Sequence, residues 1–194
     1  MTKCTWCQSD ALSEAYHDEE WGIPLHDDQK HFEYLMMEVM QCGLSWILML
    51  KKRETFRQGF DDFDYEKIAV YDEKKIAEIM AAENMIKSER KIRAIINNAI
   101  QYKKIIDEFG TFDKFLWAYS GGKTIVYQSH QKQHVASNDL SDQVSKELKR
   151  RGFKYLGSIT VYSHLQACGI INDHEETCFR YQYIMENFPV EVRE

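Results

Sequence analysis

The sequence predicts an all-α protein, and three observations lead to this prediction. Apolar residues recur with helical spacing in several segments, strand-like alternation is almost absent, and only two prolines occur in 194 residues. A chain of this length is expected to form one domain, residues 1–194, around a real hydrophobic core. Apolar residues make up 44% and charged residues 29% of the chain, which are ordinary fractions for a globular protein.

The helices can be predicted in chain order from their caps and breakers. The first clear apolar stripe lies over residues 28–41, where Asp27 or Asp28 can serve as the N-cap and Gly43 ends the helix. Ser45 is expected to begin the next helix. In order, the helices from Ser45 onward are expected at 45–59, 65–70, 73–82, 88–110, 111–121, 141–151 with Ser141 as its cap, and after Gly157 from Ser158.

Residues 121–140 form the least regular segment, in which only Thr124–Tyr127 is expected to be extended. The sequence contains no internal repeat, low-complexity tract or clear linker. No apolar run reaches the roughly 18–20 residues of a membrane span, and the N-terminus lacks a signal-peptide region. These features predict a cytoplasmic protein with no membrane partner. The five cysteines, an odd number at irregular spacing, indicate thiols or metal ligands rather than disulfides.

The formal net charge of -6 argues mildly against a nucleic-acid partner, because affinity for phosphate comes from lysine and arginine. The cations are nevertheless clustered along the chain. Each cluster is either an ordinary solvated helix face or part of a phosphate-binding surface. The clusters are Lys51-Lys52-Arg53, then Lys87, Arg90, Lys91 and Arg93, and finally Lys146, Lys149, Arg150, Arg151 and Lys154.

Two pairs of metal-ligating residue types lie at opposite ends of the chain. Cys4 and His17 are near the N-terminus, and His174 and Cys178 are spaced i, i+4 near the C-terminus. Two thiolates and two imidazoles make a closed tetrahedral zinc set, so a shared ion would be structural and would tie the two ends together. Two other pairs, Cys4-x2-Cys7 and His130-x3-His134, lack further ligand motifs and are interpreted as coincidences.

The segment from Lys149 to Ser158 has the pattern of a helix–hairpin–helix motif. One helix ends, Gly152 and Gly157 bracket a short turn, and a new helix begins at Ser158. Glycines allow a phosphate to approach the turn closely, and backbone N–H groups at a helix start can bind it without reading base sequence. The alternative is an ordinary helix corner with two capping glycines. The flanking cations, including Lys154, favour contact with DNA.

Two further blocks are distinctive: Tyr16-His17-Asp18-Glu19-Glu20-Trp21-Gly22-Ile23-Pro24, and Glu38 with Gln41-Cys42-Gly43-Leu44-Ser45-Trp46. Together with Cys4, the hairpin segment and His174-x3-Cys178, they closely resemble the bacterial DNA-3-methyladenine glycosylase I family. The resemblance extends from Cys4 to about Cys178. It leaves the tail, residues 179–194, without an assigned role.

The resemblance implies a helix–hairpin–helix DNA glycosylase fold with one structural zinc ion that joins the N- and C-terminal segments. It further implies a monomeric, monofunctional repair enzyme that flips 3-methyladenine out of alkylated double-stranded DNA and hydrolyses its N-glycosidic bond. Free 3-methyladenine would be the product. The matched residues imply Glu38 as the catalytic residue, Tyr16, Trp46, Trp6 and Trp21 around the base, and Cys4, His17, His174 and Cys178 as zinc ligands.

The chemistry of the substrate is compatible with these residue types. Methylation at N3 makes the base a cation, which an aromatic wall such as Trp46 attracts by about 0.5–2 kcal/mol. A carboxylate at Glu38 can accept a hydrogen bond from the exocyclic amine and favours the cation further. Spacing alone favours a different interpretation, in which Glu38 is a surface residue. It lies about 130° from the centre of the apolar stripe of its helix and would face solvent. Tyr16 and Trp46 would then be packing residues.

Flipping a nucleotide leaves a gap in the duplex, and the turn at Gly43-Leu44 is predicted to fill it, with Leu44 or Gln41 as the plug. The predicted DNA contacts are Gln41, Gly43, Leu44, Gly152, Lys154, Gly157 and Ser158. Asp173 follows Gly157 by 16 residues, which fits a catalytic aspartate found in the wider superfamily, and is kept as a minor candidate. The rival hypothesis is a non-catalytic, zinc-stapled DNA-binding module, which would need no pocket.

Overall fold

Ten α-helices and two short strands lie in residues 2–131, 133 and 135–194, the parts of the chain described by the computed structural model. The mostly helical fold class predicted from the sequence is confirmed. The helices are α1 Ala11–Glu19, α2 Asp28–Gln41, α3 Trp46–Gly59, α4 Tyr65–Ile68, α5 Glu73–Ala81, α6 Glu89–Phe109, α7 Phe112–Trp117, α8 Asp139–Arg150, α9 Ser158–Ala167 and α10 Phe179–Asn187. The strands are β1 Thr124–Tyr127 and β2 Val190–Arg193.

Most helix starts follow from local capping chemistry. The side chains of Asp27, Asp64, Asp72 and Thr111 each accept a hydrogen bond from a backbone N–H of the helix that follows. The prediction of Ser141 as the cap of its helix was wrong. Asn138 is the N-cap of α8, and Ser141 is the third residue of a capping box in which the two side chains bond each other's backbone.

Helix α2 passes through the centre of the molecule. Every residue from His31 to Met40 is buried, and α3, α6, α7 and α9 all pack against this helix. The sequence suggested a single apolar stripe with a solvent face opposite, but a helix in the middle of the core has no solvent face. Glu33 and Glu38 are therefore buried in spite of their angular distance from the stripe.

The two strands pair in parallel, with Thr124 opposite Val190 and Tyr127 opposite Arg193. The extended piece predicted at Thr124–Tyr127 is confirmed as β1. Its partner was missed, since β2 has only four residues and lies at the end of a tail that the motifs did not cover. The tail therefore has a structural part, because β2 pairs with β1 and the start of α10 bonds the N-terminal segment at Thr2.

The chain reverses direction between α8 and α9, and asparagines of α6 fasten this turn: Asn97 donates to the Gly152 carbonyl, while Asn98 bonds both the N–H and the carbonyl of Lys154. In the parts of the chain that are described, no helix combines the length and the apolar content that a membrane crossing requires.

Candidate active site and metal centre

A pocket of about 350 Å³ opens between α1, α2, the start of α3 and the end of α9. All five side chains predicted to surround a base lie in its lining. Trp6, Tyr16, Trp21 and Trp46 form the aromatic part of the wall, and Glu38 is the carboxyl group among them. The volume suits a single purine ring system, so the geometry is that of a small-ligand pocket rather than a groove.

Glu38 is the most perturbed acidic group in this pocket. Its side chain projects from the buried helix α2, and the residue is only 4% exposed. Burial raises the pKa of Glu38 to about 8. Within the described chain no side chain or backbone group donates a hydrogen bond to its carboxyl oxygens. An ionisable group that is buried without a partner is a common mark of a functional site.

The aromatic residues form two contacting pairs. The rings of Tyr16 and Trp46 lie 5.4 Å apart, and those of Trp6 and Trp21 lie 5.0 Å apart at 76°. Burial also raises the pKa of Tyr16 well above its ordinary value, so its hydroxyl stays protonated. The Trp46 indole nitrogen is buried, and among the described residues it has no hydrogen-bond acceptor. The wall thus offers aromatic ring faces around the Glu38 carboxyl.

An ion-pair network below the pocket holds α1, α2 and α3 together. Arg53 donates to both oxygens of Glu20 at 2.7 and 2.8 Å and to Glu33 at 2.7 Å. Tyr34 donates to the same Glu20 carboxylate at 2.7 Å. Glu20 directly precedes Trp21, so this network fixes one edge of the pocket. The sequence grouped Arg53 with Lys51 and Lys52 as a cationic cluster. In the structure Arg53 is mostly buried, because it pairs with Glu20 and Glu33.

The four terminal ligands predicted from the sequence come together in one buried cluster. The distance from Cys4 Sγ to His174 Nδ1 is 3.5 Å, and Cys178 Sγ lies 3.4 Å from His17 Nε2 and 3.8 Å from His174 Nδ1. Bond lengths of tetrahedral zinc predict a sulfur-to-nitrogen separation of about 3.6 Å. The cluster therefore has the dimensions and donor set of a closed tetrahedral metal site.

Surrounding groups fix the orientation of this cluster. His17 Nδ1 lies 2.8 Å from Asp18 Oδ1, and His174 Nε2 lies 3.1 Å from the Trp21 carbonyl, so each ring turns its other nitrogen inward. Backbone N–H groups point at both sulfurs, at 3.3 Å for Cys4 and 3.4 Å for Cys178.

Gly22 lets the cluster lie directly behind the pocket wall. A Cβ atom at this position would come within 2.6 Å of His174 Nε2, and its φ of +79° also favours glycine. The His174 ring packs edge-on against Trp21 with centroids 4.6 Å apart. A displacement of His174 would therefore move Trp21, which lines the pocket.

The turn between α2 and α3 is positioned next to the hairpin. Lys91 is buried, and its ammonium group donates to the carbonyls of Met40 and Cys42 at 2.7 Å, which holds the end of α2. The Cys42 sulfur lies 3.9 Å from the Thr160 hydroxyl near the start of α9. Leu44 is 39% exposed. Gly43, Leu44 and the first turn of α9 therefore share one face of the molecule.

Two of the cations near the hairpin, Arg150 and Arg151, are already paired with carboxylates. Arg150 and Arg151 both bond Glu147, and Arg151 also bonds Glu108 at 2.7 Å. Lys146, Lys149 and Lys154 are exposed. The N–H groups of the first turn of α9, which begins at Ser158, have no acceptor inside the helix. This helix start and the exposed lysines are the groups on this face that suit a phosphate.

The opposite wall of the pocket contains a polar cluster around Asp173, and sequence reasoning identified only the aspartate. His130, interpreted above as half of a coincidental pair, contributes Nδ1 at 3.0 Å from Asp173 Oδ1 and at 3.0 Å from the Tyr162 hydroxyl. Tyr162 donates to Asp173, as does Gln166 at 2.8 Å. His134, the other half of the pair, lies outside the described residues. Asp173 thus faces the pocket, but three neighbours already bond it.

Comparisons with known proteins match this fold to DNA glycosylases. A crystal structure of the Y16F form of 3-methyladenine DNA glycosylase I in complex with 3-methyladenine has a TM-score of 0.86 at 37% identity, covering 92% of this chain and 97% of that chain. The E38Q mutant from Staphylococcus aureus gives the same TM-score, identity and coverage. Both substitutions carry the residue types and numbers of Tyr16 and Glu38. The fold and the pocket therefore define the chain as a helical DNA glycosylase in class.

The sequence comparison narrows the class to one family. The model of the methyladenine glycosylase family matches residues 6–181. The DNA-3-methyladenine glycosylase 1 of Escherichia coli K12 is 40% identical over 182 residues, which cover 93% of this chain and 97% of that protein. This chain belongs to the methyladenine glycosylase family, as its motifs predicted.

Proposed function

We propose that this protein is a base-excision repair enzyme that hydrolyses the N-glycosidic bond of 3-methyladenine in alkylated double-stranded DNA. The observation that carries the proposal is the buried Glu38 carboxyl, which lies without a donor partner in an aromatic pocket of purine size. Membership of the methyladenine glycosylase family supports it. The products are free 3-methyladenine and an abasic site in the DNA.

The pocket selects its base by charge. A purine methylated at N3 is cationic while it is attached to the sugar, so the rings of Tyr16 and Trp46 attract it more strongly than uncharged adenine. Glu38 is protonated in the empty pocket at neutral pH because its pKa is about 8. A bound cation stabilises the carboxylate, which loses its proton to solvent and accepts a hydrogen bond from the exocyclic amine of the base.

The bond that breaks needs little acid catalysis, because the methylated base departs as a neutral molecule. The enzyme's task is to hold the flipped base and to admit water to the oxocarbenium-like sugar. The family resemblance places no lysine as a Schiff-base nucleophile, so a monofunctional enzyme without lyase activity is expected. Asp173 borders the pocket and remains a secondary candidate for stabilising the sugar cation.

Two adjacent surfaces hold the DNA in this proposal. The helix–hairpin–helix grips a phosphate through Gly152, Gly157 and the N–H groups that begin at Ser158, with Lys154 beside them. The turn of Gly43 and Leu44 enters the gap that the flipped nucleotide leaves, with Leu44 or Gln41 as the plug. Their shared face, set by the contact of Cys42 with Thr160, supports this division of roles.

The proposed enzyme includes a structural zinc ion bound by Cys4, His17, His174 and Cys178. The separations of the four donors and the bonds that orient both rings support zinc at this position. Four protein ligands leave no open coordination position, so the ion acts as a structural staple between residues 170 apart in the chain. Its contribution here is to fix Trp21 and Tyr16 against the half of the molecule that grips DNA.

The direct test is release of free 3-methyladenine from methylated duplex DNA by folded, zinc-replete protein, measured by chromatography. Release supports the proposal, whereas no release rejects the enzyme. The rival, a non-catalytic DNA-binding module, is separated by tryptophan fluorescence. Free 3-methyladenine should quench the pocket tryptophans of the enzyme, and a module without a base pocket would show no quenching. Sedimentation of the pure protein tests the expected monomer.

A further inference from the structure

A second cluster of metal-ligating side chains lies inside the core, away from both the pocket and the terminal cluster. It consists of His31 on α2 with His164 and Cys168 at the end of α9. The ligand atoms of the three residues all lie within 4.8 Å of one another. Each residue is at most 1% exposed. The mechanism proposed above uses none of them.

The hydrogen bonding of this cluster is incomplete. Both ring nitrogens of His164 and the Nδ1 atom of His31 are fully buried and have no hydrogen-bond partner within the described chain. Buried polar atoms are almost always paired, because leaving one unpaired costs about 1–3 kcal/mol. One nitrogen of each ring and the Cys168 sulfur lie within 4.8 Å of one another, which is an arrangement that a shared ligand can satisfy. Burial also holds the pKa of His164 well below its ordinary value, so the ring is neutral and can donate a lone pair.

The surroundings of His31 favour a metal ion as that ligand. Its Nε2 lies 3.1 Å from the Leu25 carbonyl and 3.4 Å from Asp113 Oδ1. This side of the ring is therefore the donating side, and the unprotonated Nδ1 points at His164 and Cys168. A carboxylate or carbonyl behind a histidine is the usual support of a metal-bound imidazole.

The spacing on α9 repeats that of the terminal cluster. His164 and Cys168 are i, i+4 at the end of α9, so both side chains lie on one side of the helix. His174 and Cys178 have the same separation in a non-helical segment. Donor atoms of tetrahedral zinc lie about 3.3–3.8 Å apart, and small side-chain rotations can close the present separations to that range. Two imidazoles and one thiolate suit zinc, and one water molecule completes the tetrahedron.

We propose that His31, His164 and Cys168 bind a second zinc ion, which ties α2 to α9. Burial raises the pKa of Cys168 to about 12, so the thiol is protonated without metal. Zinc displaces this proton to solvent as the metal–sulfur bond forms. The ion would join α2, which carries Glu38, to α9, which begins at the hairpin. It would thereby fix the distance between the pocket and the proposed DNA-binding hairpin.

The test is the number of zinc ions per chain in the full-length protein, measured by plasma mass spectrometry after dialysis with zinc and then without it. Two ions are expected in the unaltered protein. His164→Leu should lower the number to one, and Cys178→Ser should also leave one, from the other site. His26→Leu is the matched control: His26 is an exposed neighbour that bonds Asp113, and its loss should leave two ions.

One ion per chain in the unaltered protein, or two ions retained in His164→Leu, would overturn the second site. Cobalt substitution gives an independent reading that does not depend on a variant. Two thiolate-bound sites should fill, and Cys168→Ala should remove about a third of the sulfur-to-cobalt absorption, since one of three thiolates is lost. An unchanged spectrum in that variant would equally reject the proposal. If His164→Leu does not fold, Cys168→Ala also supplies the ion count.

Discussion

Two buried carboxyl groups on the same helix show how this protein separates structure from function. Glu33 and Glu38 are 6% and 4% exposed and lie little more than one turn apart on α2. Glu33 is held by Arg53 at 2.7 Å and Arg57 at 2.9 Å. Glu38 faces the pocket, and in the described structure no cation or donor meets it.

The difference teaches that burial alone does not mark a functional residue. A buried charge with well-placed partners is a structural element, and removing a partner destabilises the fold. A buried ionisable group without partners weakens the free protein unless a ligand supplies what is missing. Glu38 fits the second case, because a cationic base supplies both a positive charge and an amine donor.

The largest expected effect comes from removing the charge at the pocket. Glu38→Gln keeps the shape of the side chain but cannot form a carboxylate, so excision of 3-methyladenine should fall by roughly 10²–10³-fold. Single-turnover release from methylated DNA measures the change. Glu54→Gln, at an exposed position on α3, is a matched control that should retain full activity. Equal rates in the two variants would remove Glu38 from the chemistry.

The converse change removes the partner of the structural carboxylate. Arg53→Met leaves the buried Glu33 and the partly buried Glu20 with fewer partners and should lower the free energy of unfolding by about 3 kcal/mol. Denaturant titration measures the loss, and Arg150→Met provides the control, because that arginine is 67% exposed. A loss in Arg53→Met no larger than in the control would contradict the role given to the network.

The buried, unpaired Glu38 should make the protein less stable as pH rises. Its folded pKa of about 8 lies above the ordinary value of 4.5, so the folded protein holds this proton more tightly than the unfolded chain. The unaltered protein should therefore lose stability as pH rises from 4.5 to 8, relative to Glu38→Gln. The variant should match it at pH 4 and be more stable at pH 9 by about 5 kcal/mol, because each pKa unit between 4.5 and 8 is worth about 1.4 kcal/mol. Thermal unfolding at both pH values measures this, and a constant difference would count against the buried, unpaired state.

The smallest expected effect concerns the turn beyond Glu38. Lys91→Met removes both hydrogen bonds to the end of α2 and should cost about 1 kcal/mol of stability. Affinity for duplex DNA should weaken while free 3-methyladenine still quenches the tryptophans, since Lys91 holds the turn and does not itself line the pocket. Lys74→Met, at an exposed position, controls for the lost charge. A parallel loss of base quenching would show that Lys91 supports the pocket as well.

Sequence reasoning recovered what local chemistry determines. Asp27, Asp64 and Asp72 mark their helix starts because a capping side chain acts within its own turn. The proximity of Cys4, His17, His174 and Cys178 was predicted from their residue types, and the pocket residues were predicted by motif resemblance. Glu38 could not be found from periodicity, because the pattern does not reveal that α2 is enclosed on all sides.

Contacts between distant segments account for what was missed. His130 meets Asp173 only because β1 and the loop after α9 lie side by side, and β2 finds β1 across more than 60 residues of chain. The cluster of His31, His164 and Cys168 had one local signal, the i, i+4 spacing on α9, but its third member comes from a helix far earlier in the chain. Only the fold brings such residues together.

The most direct test of the comparison is a carbon-13 NMR titration of the glutamate carboxyl groups, with Glu38→Gln to assign the Glu38 signal. A buried, unpaired Glu38 should titrate with a midpoint near pH 8 in the free protein. Addition of DNA that carries the cationic base should shift the same signal to that of a carboxylate at neutral pH. A midpoint near 4.5 in the free protein would show that Glu38 is solvated or paired, and would contradict the account.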